Sequence, residues 1–362
     1  MKLQIENFRG IKKGEVNLGK LNILIGSNNS GKTTILESLF LLPNPLRYVP
    51  YVSTTPHLMS AVEVLSHVHE TSGSRAFISL FYNYSSSIAK ISYTQDPMHV
   101  MTCFQRIGDS AEIYVLDDRL YYVGLIRISS THIEHLGRVQ LAVYDDRRKV
   151  FTRQPAYIDR NIPSQYFVSK VGEALYFHPL TIKFMWDYLK INWVKLRSTG
   201  LPSRIAKHVA ESVGGDYDDL LLEPFIGGQQ AIYVRTRDGR GIRLGDLGDG
   251  VQVSLTLMLM YEFIKPKILL IDDIESHMNP YLLMHVTSWL RKVLDSGTMV
   301  VLTTHSLEAT KVISHALIDY NPQITLLSLR DGILKSKNLS IDEVEELERK
   351  GLDVRVMEGI LI

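Results

Sequence analysis

Apolar and polar positions along the chain change period several times, and each change marks a new element. Residues 2–7 and 15–18 alternate as half-buried strands do, on either side of Phe8-Arg9-Gly10. Leu21-Asn22-Ile23-Leu24-Ile25 is short, apolar and β-branched, which predicts a buried strand. From Thr33 to Leu41 the apolar residues Ile35, Leu36, Leu39 and Phe40 recur at helical spacing and predict a helix packed by one face. Pro43, Pro45 and Pro50 end it, and His57 to His69 predicts one more helix. From about 76 to 158 the segments Ala76–Tyr84, Ile88–Thr94, Val100–Arg106, Glu112–Leu116, Leu120–Ser129 and Gly137–Tyr144 are β-branched and aromatic. They predict an antiparallel sheet, with Asp117-Asp118 as a hairpin turn.

From about 164 to 222 the pattern is helical, with a start at Pro202-Ser203 and a glycine stop at Gly214-Gly215. Ile232–Arg235 and Ile242–Leu244 predict a hairpin around Asp238-Gly239. The last third alternates helix and strand, the pattern of a parallel sheet. It predicts a helix over Val251–Ile264, strands at Lys267–Asp272, Met299–Thr303, Ala316–Tyr320 and Ile324–Leu329, and a helix started by Asn279-Pro280. Ser340-Ile341-Asp342-Glu343 is a capping box before a last helix to about Lys350.

Composition narrows the class. At about 100–200 residues per domain, 362 residues suggest two domains or one elaborated α/β domain. The apolar share of 45% and charged share of 22% suit a chain that buries a core. A net charge of +1 means that any nucleic-acid contact must come from a local patch. The single cysteine, Cys103, excludes a disulfide framework and a Cys-x-x-Cys metal hook. The N-terminus reads as a strand and not as a signal peptide, and no run reaches the ~20 apolar residues of a membrane span. The expected location is cytoplasmic, with no membrane partner.

Four stretches carry candidate chemistry. Gly26-Ser27-Asn28-Asn29-Ser30-Gly31-Lys32-Thr33-Thr34 satisfies G-x-x-x-x-G-K-[ST], between a predicted strand and a predicted helix. Backbone N–H groups and a helix N-terminus there suit an anion. Lys32 would reach the β/γ-phosphates and Thr33 would ligate Mg²⁺. The second stretch, Ile268–Asp273, is an apolar strand that delivers Asp272 and Asp273 at its C-terminal end, where α/β sheets bind ligands. One carboxylate there can hold Mg²⁺ and another orient water. The third ends its strand in Thr304-His305, a donor for a γ-phosphate or a nucleophile. The fourth, Leu244–Gln252, opens a helix with Gly245, Gly248 and Gly250 and is a second anion site.

This order of motifs resembles the ATP-binding-cassette-type head ATPases of the RecF, SMC and OLD group, in their small single-chain AAA ATPase branch. Ile5-Glu6-Asn7-Phe8-Arg9-Gly10 and Leu24 to Thr34 match the start of that family, and Ile242–Ser306 matches its second half. The implied fold is α/β: a P-loop NTPase with an ABC-type head, a mixed and partly parallel core sheet, an antiparallel β subdomain and a helical insertion. The expected division is 1–45 and 226–362 for the ATPase lobe, 46–163 for the β-rich lobe and 164–225 for the helical insertion.

The resemblance implies ATP and Mg²⁺ as cofactors. It assigns Gly26, Asn28, Asn29, Ser30, Gly31, Lys32, Thr33 and Thr34 to the nucleotide, Thr33 and Asp272 to the metal, and Lys32, Asp273 and His305 to catalysis. Gly248, Asp249, Gly250 and Gln252 stand at the signature position and Asn279 in the D-loop. Two copies would sandwich ATP head to tail as a homodimer.

Two residues depart from the family pattern. Asp273 stands where a glutamate is usual and is shorter by one methylene, about 1.5 Å of reach. Gly248 replaces the signature serine and removes a hydroxyl donor. Both imply a slow ATPase, or a nucleotide-gated binding module with little hydrolysis that regulates a separate nuclease or toxin. Gln95, Gln105 and Gln140 are the candidates for the Q-loop glutamine, and Arg9 is either near the nucleotide or in a surface ion pair.

DNA and a separate protein partner are the candidate targets. No heptad run supports a coiled-coil arm, and the expectation is that no nuclease domain of the OLD type follows the ATPase and that a nuclease would be a separate partner. Two basic patches are candidates for nucleic acid: Arg147-Arg148-Lys149 with Arg153 and Arg160, and Lys183, Lys190, Lys195, Arg197, Arg204 and Lys207 among Trp186, Tyr188 and Trp193. The competing reading of the second is a core face with solvated charges.

Overall fold

The computed structural model describes residues 1–42, 44–53, 57–70, 77–95, 98–108, 110–116, 120–127, 140–145, 150–155 and 174–361. Asp117-Asp118, Arg147–Lys149, Arg160 and the stretch 156–173 therefore lie outside the described residues.

Twelve strands among them form one sheet. Their order is Ala174–Phe177, Ile268–Ile271, Met299–Thr303, Leu21–Ile25, Gln323–Arg330, Ile333–Leu339, Ile11–Asn17, Lys2–Phe8, Ile88–Gln95, Met98–Ile107, Ser110–Leu116 and Leu120–Arg127. The first five run parallel. From Lys2–Phe8 outward the pairing is antiparallel. The chemistry of each half follows its residues. Every residue of Ala174–Phe177, Leu21–Ile25 and Ile268–Ile271 is buried, as strands covered on both faces must be. Lys2–Phe8 instead buries Leu3, Ile5 and Phe8 and exposes Gln4 and Glu6. Smaller antiparallel sheets pair Tyr48–Val52 with Leu58–Ser60, Gln140–Asp145 with Val150–Pro155, and Tyr217–Pro224 with Gln230–Thr236 and Gly241–Arg243.

The helix Lys32–Leu41 is buried on more than one face: Ile35, Leu36, Glu37, Ser38, Leu39, Phe40 and Leu41 are all inside. The central strands, the edge strand Ala174–Phe177 and the helix Ala61–Val68 all pack on it. Tyr51 ties this cover to the sheet. Its hydroxyl donates to the Tyr176 carbonyl at 2.6 Å and accepts from the Tyr176 N–H at 3.0 Å. The Arg47 guanidinium lies under the helix's last carbonyls, donating to those of Phe40 and Leu41 and, beyond the helix, to that of Asn44. A cation is favoured at that end of the helix dipole.

The helical reading of 164–222 holds for Ile182–Ile191, Trp193–Ser198 and Leu201–Val213 and fails at its margins. Ala174–Phe177 is a four-residue strand, too short for period to separate from a buried helical turn. Tyr217–Pro224 contains three leucines that suit a helix, but pairing with Gln230–Thr236 makes it a strand. Ala316–Tyr320 is not a strand either; it closes the helix Leu307–Ala316 and forms a 3₁₀ turn at Ile318–Tyr320.

Candidate functional site

In the parallel half the strands end level with one another. Phe177 lies opposite Ile271, Ile271 opposite Leu302, and Thr303 opposite Leu24. The residues next after each strand gather on one edge of the sheet: His178, Asp272 and Asp273, Thr304 and His305, and the loop from Gly26. This is the carboxyl edge, where open α/β sheets hold ligands.

The loop is built around backbone that a side chain would obstruct. Gly26 has φ of 143°, and a Cβ there would stand 2.6 Å from the Leu327 carbonyl oxygen and 2.8 Å from Ser30 Oγ. Gly31 (φ 93°) and Asn29 (φ 62°) are also left-handed. Ser27, Asn28 and Asn29 are exposed while Ser30 and Lys32 are buried. The Lys32 ammonium turns back into the loop, donating to the carbonyls of Gly26 at 3.0 Å and Ser27 at 2.9 Å. Thr34 accepts at its carbonyl from Ser38 Oγ, one turn on.

Asp272 is the hub of the carboxylate edge. Its Oδ1 accepts from Thr303 Oγ1 at 2.6 Å and Thr33 Oγ1 at 3.3 Å, and its Oδ2 accepts from the Tyr176 hydroxyl at 3.1 Å. Burial pushes its pKa up; the hydroxyls of Thr303 and Thr33 act against that. Tyr176 remains a phenol because burial, and then Asp272 and Glu37, raise its pKa well above the usual value. His178 Nε2 stands 4.0 Å from Asp272 Oδ2, and burial lowers its pKa.

Asp273 takes a left-handed backbone (φ 48°), and its N–H donates to Thr303 Oγ1 at 2.8 Å. Its Oδ1 faces His305 Nε2 at 3.6 Å, and both side chains are 43% exposed. Asp273 and His305 thus meet at the mouth while Asp272 is enclosed.

Beneath this edge lies Glu37, wholly buried on the helix that follows the P-loop. Arg9 Nε is 3.0 Å from Glu37 Oε2, and His69 Nε2 contacts the other oxygen. Burial alone would raise the carboxyl's pKa, but Arg9 and His69 more than offset it and the net direction is down. Arg9, only 16% exposed, is therefore held in a largely buried ion pair with Glu37.

The Leu244–Gln252 stretch is separate from this cluster in its contacts. Gly248 is the N-cap of the helix Asp249–Ile264 and supplies no side-chain cap. Gln252 Nε2 donates to the Leu247 carbonyl at 2.8 Å, and Asp249 Oδ2 lies 3.2 Å from His277 Nδ1. Gly250 packs against the 277 turn, where a Cβ would come within 2.6 Å of the His277 carbonyl oxygen. Asn279 uses its side-chain oxygen to cap the helix Pro280–Asp295, accepting from the Leu282 N–H at 2.8 Å.

The profile of the family described as "AAA domain, putative AbiEii toxin, Type IV TA system" matches residues 21–310. The chain belongs to this family. The matched span runs from the central strand through the P-loop, Gly248, Asp272 and Asp273 to His305. The DNA replication and repair protein RecF of Nitrosococcus oceani is 39% identical over 75 residues, which is 20% of this chain and 21% of that protein. The match thus spans about a fifth of the relative's length. Among solved structures, the chain is similar to an Smc head bound to the C-winged helix domain of ScpA, with TM-score 0.55 and 13% identity over 95% of this chain and 98% of that one. It is also similar to an Smc head domain with an extended coiled coil, bound to the C-terminal domain of ScpA derived from Pyrococcus furiosus, with TM-score 0.51 and 13% identity over 96% and 98%. At such identities the likeness is one of fold, the ABC-type head of the RecF and SMC kind.

His178 escapes sequence reasoning because four apolar residues do not separate a strand from a buried helical turn, which leaves no strand end for it to occupy. Of the Q-loop candidates, Gln105 is exposed on Met98–Ile107, six strands from Leu21–Ile25 and so roughly 30 Å across the sheet. Nothing is described of the side chains of Gln95 and Gln140. Glu275 escapes as well, although a third carboxylate two residues after Asp273 is visible in the sequence. Its Oε1 accepts from the His305 N–H at 2.6 Å.

Half of the second basic patch is committed to carboxylates. Lys190 pairs with Asp187, Arg197 with Asp219 and Lys207 with Asp218, while Trp186 is buried. Among the described residues, no helix is long and apolar enough to cross a membrane.

Proposed function

We propose that the protein binds ATP with Mg²⁺ at this edge, hydrolyses it slowly in a site completed by a second copy of the chain, and acts in DNA repair or defence on DNA or a partner protein. The observation that carries this reading is the meeting of Lys32, Thr33, Asp272, Asp273 and His305 at the carboxyl ends of three adjacent parallel strands. A role in defence accords with the family's description.

The residues fit the cofactors. Thr33 Oγ1 and an Asp272 oxygen are 3.3 Å apart and offer the oxygen donors that a hard cation prefers. Among the described residues no group of three or more His, Cys, Asp or Glu is placed to hold a metal alone. A cation shared with phosphates needs only one or two carboxylates from the protein. When bound, Mg²⁺ would neutralise charge building on the phosphate oxygens. Lys32 would exchange the Gly26 and Ser27 carbonyls for phosphate, and the loop N–H groups would hold the rest of the anion. Asp273 would orient the attacking water, and His305 would donate toward the γ-phosphate.

Asp273 and Gly248 support slow turnover. A water-orienting carboxylate shorter by about 1.5 Å is misplaced by enough to cost on the order of 100-fold. They equally support the second reading, a nucleotide-gated module that regulates a separate nuclease or toxin. The open face of Gly248, where an added Cβ would meet nothing within 4 Å, supports completion by another copy. Tyr281 and Met284, 57% and 55% exposed on the helix after Asn279, add apolar surface for that contact.

The test is ATP turnover with and without single- and double-stranded DNA, together with mass in ATP. The expected result is a slow rate, a dimer in ATP, and loss of nucleotide affinity in Lys32→Ala. Unchanged affinity in Lys32→Ala would refute the central claim. Turnover that rises in Asp273→Glu favours the weakened switch; brisk turnover abolished by Asp273→Ala favours a working ATPase. A rate indifferent to DNA shifts the target to a protein.

A further inference from the structure

The backbone of His305 is held from both sides by residues outside the motifs. On one side its N–H donates to Glu275 Oε1 at 2.6 Å. On the other its carbonyl accepts from Arg355 Nη1. Each holder is itself anchored. Glu275 leaves the same strand as Asp272, by way of the buried Ile274, whose N–H donates to the Thr303 carbonyl at 3.1 Å. Arg355 is locked by Asp353, which takes its Nε at 2.9 Å and its Nη2 at 2.6 Å and caps its backbone N–H at 2.9 Å. That leaves Nη1 aimed at His305. Val354 between them is 1% exposed, and the Leu352 N–H bonds the Leu347 carbonyl at 3.0 Å, so the turn is fixed to the helix Ile341–Arg349.

With the backbone fixed at both polar groups, the two side-chain torsions of His305 alone decide where its ring points. The ring now lies 3.6 Å from Asp273. Glu275 bears a cost for this role: its other oxygen is buried and makes no hydrogen bond among the described residues. An unsatisfied buried acceptor is unfavourable, the more so if it is charged. Arg355 carries the hold into the C-terminal segment, which forms one wall of an open cleft of about 600 Å³ beside His305, Ser306 and Glu308.

We propose that Glu275 and the C-terminal Arg355 are positioning residues that clamp His305 for ATP hydrolysis. This rests on the ATPase reading above. Neither residue touches the nucleotide in this proposal; both act through His305.

The test combines kinetics with amide exchange on the full chain. Arg355→Ala and Glu275→Ala are expected to lower kcat on the order of 10- to 100-fold while ATP affinity stays within about two-fold. Arg355→Lys and Glu275→Gln, which keep a donor and an acceptor, are expected to recover part of the loss. In a His305→Ala background, Arg355→Ala should cost nothing further. A kcat within about two-fold of wild type, or an equal loss in the His305→Ala background, would overturn the clamp. Hydrogen exchange over Thr304–Ser306 should quicken in Arg355→Ala at unchanged unfolding temperature. If the wild-type protein hydrolyses no ATP, the ATPase reading falls. The clamp is then judged by exchange alone, and unchanged protection refutes it.

Discussion

Two of the glycine-bearing loops that open helices, Gly26–Thr34 and Leu247–Gln252, are built in opposite ways. In Gly26–Thr34 the glycines are imposed from within. Gly26 and Gly31 are left-handed, and Gly26 is hemmed in by the Leu327 carbonyl and Ser30. The loop's lysine is folded into it. In Leu247–Gln252 the N-cap Gly248 has ordinary φ of −58°, and space stands open where a side chain would be. Only Gly250 there is constrained, by the 277 turn. The first loop is shaped by its own chain. The second leaves its leading glycine against open space, where a side chain would meet no neighbour. The comparison teaches that the same residue type marks an internal requirement in one place and an unfilled external face in the other.

Substitution separates the two. Gly26→Ala should have the largest effect. Strained backbone plus a clash with a carbonyl oxygen costs about 3 kcal/mol or more, read as a fall in unfolding free energy together with lost ATP binding. If Gly26→Ala instead folds and binds normally, the loop is not shaped from within. Gly250→Ala should be intermediate. A Cβ 2.6 Å from the His277 oxygen forces the 277 turn to move. Helix propensity returns part of that, leaving about 1–2 kcal/mol in denaturant unfolding. Gly248→Ser should be smallest, within about 0.5 kcal/mol, and stabilising in sign because serine at an N-cap gains a hydrogen bond that glycine lacks. Its effect belongs in turnover of the assembled protein, which should rise if a second copy reads this face. A large loss of stability in Gly248→Ser would erase the contrast between the loops.

How far the site was legible depended on whether its residues announce themselves locally. The P-loop, the apolar strand into Asp272 and the strand into His305 each combine a short apolar run with a polar terminus, so spacing alone located them. The capping box at Ser340 and the Asn279 cap are local in the same sense. Glu37 shows the limit. On a helix expected to pack by one face it has the look of a solvated residue. It is buried because Ala61–Val68 and the edge strand cover the other side, and it then requires Arg9 and His69. His178 fails for a related reason: four apolar residues do not say whether they are strand or helix until a neighbour pairs with them.

By itself, then, the sequence determined the nucleotide-binding loop, the carboxylates that face it, the histidine beyond the next strand, and the alternation that makes a parallel sheet. Those rest on interactions between residues a few positions apart, where backbone geometry and period act directly. Tertiary structure alone decided that His178 stands beside Asp272, that Arg9 is drawn inside to Glu37, and that Glu275 and Arg355 meet at His305. Arg355 lies fifty residues from the carbonyl it holds. No local pattern encodes such a pairing; it exists because sheet register and the helix Ile341–Arg349 bring the two together.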